Sequence, residues 1–372
     1  MDKIKLLLSI ITLTSLLTCT TKDFSNPEDV IKNFRTLSLE NKNEELYDDF
    51  LSSKSKEFVT KDEFIKTRNI LDSAKKSAPL LDTKISTLPI DINNPTFRRF
   101  KVEEKNLIKA DTIYSRFFYT LSNENGKWKV IWTQTLLSFA YQKFDGGNYS
   151  EARKTLEKII EIDPYSGETY SLLAWCYYRD KSIPYNEWER GFVKNAKYAV
   201  ALEEDEPNHF NTLALYYSRI GNSDLAIENY ERALQLCQNK TDKITFFSNL
   251  AGEYTFIGKY AIAEEYLNKS IELSNKNKQN IEDNDITFIW LKYGDLMQKQ
   301  SKFTKALEYY SLALSKPKMD IALQADLFYG YAYCSKENGN CIDAKEYINK
   351  ALDIEPNNDK YQSLYSSIKN CK

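Results

Sequence analysis

The 372-residue chain has one histidine, His209, only 11 glycines, and 51 basic against 53 acidic residues, for a formal net charge of −2. Each scarcity removes a class of function. A Ser-His-Asp triad, a Cys-His dyad or a multi-histidine metal site needs imidazoles that this sequence supplies only once. No glycines fall in a G-x-G-x-x-G or G-x-x-x-x-G-K arrangement, so the usual phosphate-cradling loops are missing. Near-neutral charge gives no electrostatic case for nucleic acid as a partner. The six cysteines form no C-x-x-C pair. These absences call for no catalytic residue, cofactor or metal, and the chain reads as a non-enzyme.

What is present is enough apolar surface to pack. Hydrophobic residues make up 42%, aromatics 13% and charged residues 28%, far from a disordered composition. The length exceeds what one ordinary core holds, which implies several domains or a repeat array.

The chain starts Met1-Asp2-Lys3-Ile4-Lys5 and then runs apolar from Leu6 to Leu17, broken by Ser9, Thr12, Thr14 and Ser15. A basic start and a run of about 12 residues suit an export signal; a bilayer span needs about 20. The run closes on Leu16-Leu17-Thr18-Cys19, which resembles the lipobox of bacterial lipoproteins. That resemblance implies an acylated Cys19 as the mature N-terminus, holding the protein to a membrane outside the cytoplasm, on the periplasmic face or the cell surface. Two or three acyl chains anchor durably, whereas one binds only marginally. Of the other cysteines, Cys176, Cys237, Cys334, Cys341 and Cys371, an odd set, the expectation is buried or free thiols.

Asn26-Pro27-Glu28-Asp29 has the N-cap, N1 proline and acidic first turn of a helix start, followed by Val30, Phe34 and Leu37. A second helical stretch carries Leu46, Tyr47, Phe50 and Leu51, and a third follows the capping-box pattern Thr60-Lys61-Asp62-Glu63. Beyond Pro79 the segments Phe97 to Leu107, Asp111 to Leu121 and Lys127 to Thr135 are rich in β-branched and aromatic residues, the last two joined through Asn125-Gly126. Trp128 and Trp132 share a strand face and read as core. Helices followed by a meander indicate a small α+β domain. Closing on Gly126-Lys127-Trp128-Lys129-Val130, it resembles nuclear transport factor 2-like (cystatin-like) domains. The resemblance implies a curved antiparallel sheet wrapped around helices, in some members enclosing a ligand pocket.

One phrase then recurs: Gly147-x-Tyr149-x₂-Ala152, Gly221-x-Ser223-x₂-Ala226, Gly258-x-Tyr260-x₂-Ala263, Ser301-x-Phe303-x₂-Ala306 and Gly339-x-Cys341-x₂-Ala344. Twelve residues before each alanine stands Ala140, Ala214, Ala251, Gly294 or Ala332. Small residues let paired helices approach, and Gly or Ser permits the chain reversal between them. Ser223 and Cys341 replace the aromatic, so the third and sixth copies should pack less well there. A further copy fills the gap, with Leu173-Ala174 in register, an insertion around Lys181 to Glu187, and a second helix ending Ala201-Leu202. The pattern resembles the tetratricopeptide repeat, which implies an all-α superhelical solenoid with a concave groove.

The expected organisation is a multidomain chain. It comprises a signal peptide over 1–18, a lipidated tether over 19–26, the α+β domain over 27–133, six hairpins over 134–356 (136–164, 169–207, 208–239, 244–275, 286–317 and 322–356), and a capping helix over 357–372. In the register of the repeat, the groove face comprises Tyr141, Phe144, Trp175, Tyr178, Arg179, Asn211, Leu215, Arg219, Asp295, Tyr329 and Tyr333. It lacks the recurrent Lys and Asn set of carboxylate-clamping members. His209, at a helix start, reads as exposed or partly capped. The expected function is a membrane-anchored adaptor or scaffold lipoprotein of a bacterial envelope, with a protein or peptide in the groove. The alternative is a small-molecule or lipid-binding protein that uses a pocket of the α+β domain.

Overall fold

The computed structural model describes residues 23–75, 80–88, 95–108, 111–277, 282–317, 319, 321–369 and 371. The signal segment 1–18 and Cys19 lie outside the described residues. The chain divides into two compact units, Met1–Ser166 and Gly167–Lys372.

In the first unit, helix α1 (Pro27–Leu39) starts at Asn26, whose side chain accepts from the Glu28 amide at 3.0 Å, and buries Val30, Ile31 and Phe34. Next comes α2, a short turn at Asn43–Glu45 continuing as a π-helical turn over Leu46–Phe50, and then α3 (Ser53–Phe58). The capping box before α4 (Lys61–Lys75) closes both ways: the Thr60 amide donates to Glu63 at 2.9 Å, and the Glu63 amide to Thr60 Oγ1 at 3.3 Å. Four strands, β1 (Leu80–Leu88), β2 (Phe97–Ile108), β3 (Asp111–Glu124) and β4 (Lys127–Ile131), form one antiparallel sheet in chain order. Asn125 and Gly126 turn β3 into β4 with φ of 55° and 82°, the double left-handed turn that matches strand twist.

Two details depart from the sequence reading. Strand β1 was not expected; it is an edge strand, mostly exposed, without the alternation that marks a half-buried strand. Strand β4 stops at Ile131 rather than Thr135, because the Trp132 amide donates to Ser55 Oγ (2.8 Å) and the Trp132 indole to Thr135 Oγ1 (3.0 Å). Trp128 and Trp132 are core residues, Trp132 meeting Phe64 edge-on at 4.9 Å. The core also holds a buried ion pair between Arg35 of α1 and Glu104 of β2. Arg35 and Arg68 both donate to Ser38 Oγ, so α1, α4 and β2 are tied by one polar cluster.

The hairpin α5 (Gln134–Asp145) and α6 (Tyr149–Ile162) belongs to this same compact unit. The unit boundary falls at Ser166, some way beyond the change from strand to repeat near 133–136. Thr135 at the start of α5 is fixed by Trp132, and Leu136 packs against the sheet core.

The second unit continues the pattern. Its hairpins are α7 (Gly167–Arg179) with α8 (Tyr185–Leu202), α9 (Pro207–Arg219) with α10 (Ser223–Leu236), α11 (Lys240–Phe256) with α12 (Tyr260–Lys276), α13 (Asp283–Lys299) with α14 (Phe303–Leu314), and α15 (Ile321–Glu337) with α16 (Cys341–Ile354). The turn residue of the recurring phrase has positive φ in every copy: 76° at Gly147, 75° at Gly221, 77° at Gly258, 57° at Ser301 and 82° at Gly339. Gly147 belongs to the first unit and the others to the second. The alternation of Gly and Ser thus has a backbone cause, since only glycine adopts this conformation without penalty. The small residues Ala174, Ala214, Ala251, Gly294 and Ala332 are buried in the first helix of each hairpin. The tightest fit is at Tyr310 of α14. A β-carbon on Gly294 would overlap its ring, and one on Gly330 would come within 2.7 Å of it.

The second repeat was hard to register because it is longer and has exchanged two core sizes. Its buried alanine is Ala199, not Ala201, which is exposed. Phe192 and Ala196, both fully buried, stand where α10 has Ala226 and Tyr230. Two further expectations are corrected. His209 is 3% exposed rather than solvated; its Nε2 lies 2.7 Å from Glu203 Oε2, while Glu203 Oε1 accepts the Gly167 amide at 2.8 Å. One carboxylate thereby serves the starts of α7 and α9, where helix dipoles favour negative charge. Cys341 and Cys371 are not free: they form a disulfide with Cα atoms 5.7 Å apart, tying the start of α16 to the residue beyond the last helix, α17 (Asp359–Ile368). Closing a loop with a sequence separation of 30 contributes about 3.6 kcal/mol by chain entropy. The disulfide stands where three of the other copies have an aromatic, Tyr149, Tyr260 or Phe303. Helix α17 then covers the last hairpin with Tyr361, Leu364 and Ile368.

Ser301 holds a left-handed conformation that glycine adopts freely, so Ser301→Gly should stabilise the α13–α14 hairpin by about 0.5–1 kcal/mol. Gly258→Ala should destabilise α11–α12 by a similar amount. Native-state hydrogen exchange of amides in the two hairpins reads each effect locally, and equal protection in both variants and the parent would contradict the backbone account.

Candidate functional site: the inner face of the repeats

First helices touch first helices along one side of the second unit, α7 with α9, α11 with α13, α13 with α15 and α15 with α17. Closer spacing on that side makes it the inner face of a curved stack. Its surface is a ladder of polar contacts between neighbouring repeats. Trp175 Nε1 donates to Thr212 Oγ1 (3.1 Å), Asn249 Nδ2 donates to Asn211 Oδ1 (2.9 Å), and Ser218 donates to Glu253. Such bonds hold the helices in register and leave aromatic faces and long cations to meet a ligand.

The structure sorts the expected groove residues into four groups. Trp175, Tyr178 and Arg219 come together: the Trp175 and Tyr178 rings are 5.3 Å apart, and the Arg219 guanidinium lies 5.1 Å from the Tyr178 ring and 4.6 Å from Trp188. Leu215 and Arg179 lie on the same helices, α9 and α7. Asn211 and Asp295 serve the scaffold instead. Asn211 is engaged by Asn249, while Asp295 Oδ1 lies 2.9 Å from the Tyr310 hydroxyl. Tyr329 and Tyr333 belong to the end of the array, where Tyr361 of α17 stacks on Tyr329 at 5.2 Å and Phe303 meets Tyr333 at 6.3 Å. Tyr141 and Phe144 lie in the first unit; Tyr141 is exposed, and Phe144 packs on Tyr149 at 5.4 Å within its own hairpin.

Sequence reasoning missed three contributors. Trp188 joins the aromatic cluster from the lengthened α8, whose register the insertion obscured. Phe256, at the same helix position as Arg179 and Arg219, is 63% exposed. Asp326, at the equivalent of Asn208, accepts from the Tyr361 hydroxyl at 3.0 Å. The Asp326 side chain is exposed, yet partial desolvation by its packed neighbours raises its pKa above the ordinary carboxyl value despite the Tyr361 hydrogen bond. Burial also raises Asp242 and Asp285, at the starts of α11 and α13.

Among the described residues no group of three or more His, Cys, Asp or Glu side chains is placed to hold a metal ion. The interior beneath the sheet of the first unit is filled by Phe34, Phe50, Phe64 and Trp132 in ring-to-ring contact.

Tetratricopeptide repeat models match residues 205–276 and 325–358. The chain carries tetratricopeptide repeats. The type IV pilus assembly protein PilF of Pseudomonas aeruginosa is 27% identical over 168 residues, 45% of this chain and 60% of that protein. DnaJ homolog subfamily C member 3 of Mus musculus is 25% identical over 147 residues, 40% of this chain. The chain thus spans 24% of the mouse protein and less than two thirds of PilF. Among solved structures, the APC/C hetero-tetramer Cut9-Hcn1 superposes with a TM-score of 0.51 at 16% identity, covering 63% of this chain and 42% of that one, a likeness of fold.

The raised pKa of Asp326 has a stability consequence. The folded state binds this proton more tightly than the unfolded state, so the group favours folding most fully below about pH 3.8. That contribution is lost as pH rises from there through the raised folded pKa. Asp326→Asn should remove this pH dependence and stabilise the last repeat at pH 7, since the amide oxygen still accepts from Tyr361. Denaturation of parent and variant at pH 3.8 and pH 7 checks it: their difference should shrink at the lower pH, and a constant difference would contradict the assignment.

Proposed function

We propose that the protein is a membrane-anchored adaptor of a bacterial cell envelope, binding a protein or peptide on the inner face of the 167–372 repeats. The observation that carries the reading is the Trp175–Tyr178–Trp188–Arg219 cluster. Aromatic and arginine side chains of this kind anchor protein interfaces because they bury much area, the rings at small entropic cost. Placement outside the cytoplasm is supported by the Cys341–Cys371 disulfide, which persists in oxidising compartments, and by the lipobox-like Leu16 to Cys19. No helix among the described residues is long and apolar enough to cross a membrane, so attachment in this reading rests on acylated Cys19. The similarity to a type IV pilus assembly protein suits an envelope scaffold. The sheet-bearing domain, in this reading nuclear transport factor 2-like, serves as a mount; its ring-filled interior favours that over a ligand pocket.

Co-purification of the intact protein from detergent-solubilised membranes tests the reading. A stoichiometric protein partner should be recovered, and Trp175→Ala with Tyr178→Ala should reduce its yield at least tenfold while circular dichroism shows the variant still folded at the temperature of the experiment. Undiminished recovery with the double variant would place the interaction elsewhere.

A further inference from the structure

The insertion that lengthens the second repeat reaches across the second unit. Between α7 and α8 the chain makes a tight turn, Asp180 accepting from the Ser182 amide at 3.0 Å and from the Ser182 hydroxyl at 2.5 Å. That turn presents Lys181, and its ammonium pairs with the carboxylate of Glu355, at the end of α16 four repeats later. The Lys181 side chain is 65% exposed and that of Glu355 18%. Glu355 also accepts from Asn358 Nδ2 at 2.7 Å. Burial works against the charged carboxylate, but the hydrogen bonds from Lys181 and Asn358 and the charges of Lys181 and Arg179 outweigh it, leaving its pKa lowered. Arg179 is a last-turn residue of α7 and Arg219 its counterpart on α9, so the second and third repeats carry a basic rim on this side.

We propose that this rim, Lys181 with Arg179 and Arg219, is a docking surface for an acidic segment of a partner protein, with Glu355 as its resting occupant. The inference rests on the inner-face reading above and specifies its partner. The occupant is argued from charge: the chain itself shows a carboxylate held there. The contact joins the second hairpin to the last within the 167–372 unit. The lysine side of the pair faces solvent, and a single ion pair to an exposed lysine is weak and exchangeable. An incoming segment with several carboxylates therefore competes with one glutamate on favourable terms.

Zero-length carbodiimide cross-linking of the intact protein, read by peptide mass spectrometry, tests this without a known partner. The internal control is Lys350–Glu346, an ion pair at 2.6 Å on one exposed helix face. A Lys181–Glu355 amide should form, and a ten-residue glutamate peptide should cut its yield at least fivefold and itself become linked to Lys181. A glycine-serine peptide of equal length should leave the yield unchanged, as should both peptides for the control pair. If the control forms and the Lys181–Glu355 amide does not, the resting contact is overturned. If the amide forms but the glutamate peptide does not displace it, the acidic occupant is overturned, while the inner-face reading stands or falls on Trp175 and Tyr178.

Discussion

Close approach of helices at small residues is the constraint on which the rest of the repeat architecture depends. Tyr310 shows it most directly. Its ring fills the space that side chains at Gly294 and Gly330 would need, and its hydroxyl reaches Asp295 and Gln298 at 2.9 and 2.8 Å. A ring in that position sets the spacing of α13, α14 and α15 together. The alanines of the other repeats do the same at smaller scale. Because each first helix is drawn towards the next, side chains such as Asn211 and Asn249, or Trp175 and Thr212, come within hydrogen-bond distance. The inner face is thus a product of core packing one layer away, and its groups are held in place before any ligand arrives, which lowers the entropic cost of binding.

The scaffold and the site draw on the same residue types, which explains how much of each was legible. The repeating phrase was visible because Gly, Ala and an aromatic recur at fixed spacing for backbone and steric reasons, and those positions are the turns and buried faces of the structure. The inner-face positions follow from the same register, so Trp175, Tyr178 and Arg219 could be named together. Their division of labour could not. Whether Asp295 meets solvent or Tyr310 depends on a residue 15 positions away, and whether Tyr329 is open depends on the helix that follows Pro356.

Three features had no local signature. His209 looked like a solvated helix start because its partner, Glu203, is recruited by the Gly167 amide from another hairpin. The Cys341–Cys371 disulfide joins residues 30 apart across a turn and a helix, a pairing that spacing alone cannot select. Strand β1 shows little alternation because it lies at a sheet edge. The second repeat lies between these cases. Its existence could be read from Leu173-Ala174, but the exchange of Phe192 and Ala196 moved its second helix out of register and hid Trp188.

Helix spacing in the fifth repeat is set by a large side chain, Tyr310, seated against glycine, and that dependence can be measured. It is tested most directly by a double-mutant cycle at Gly294 and Tyr310, measured as unfolding free energy of the intact chain. In the parent, Gly294→Ala should destabilise by about 1–3 kcal/mol, because the new methyl overlaps the Tyr310 ring. In a Tyr310→Ala background the same substitution should be neutral or stabilising by up to about 1 kcal/mol, the ordinary preference of a helix for alanine. Equal effects in the two backgrounds would contradict the claim.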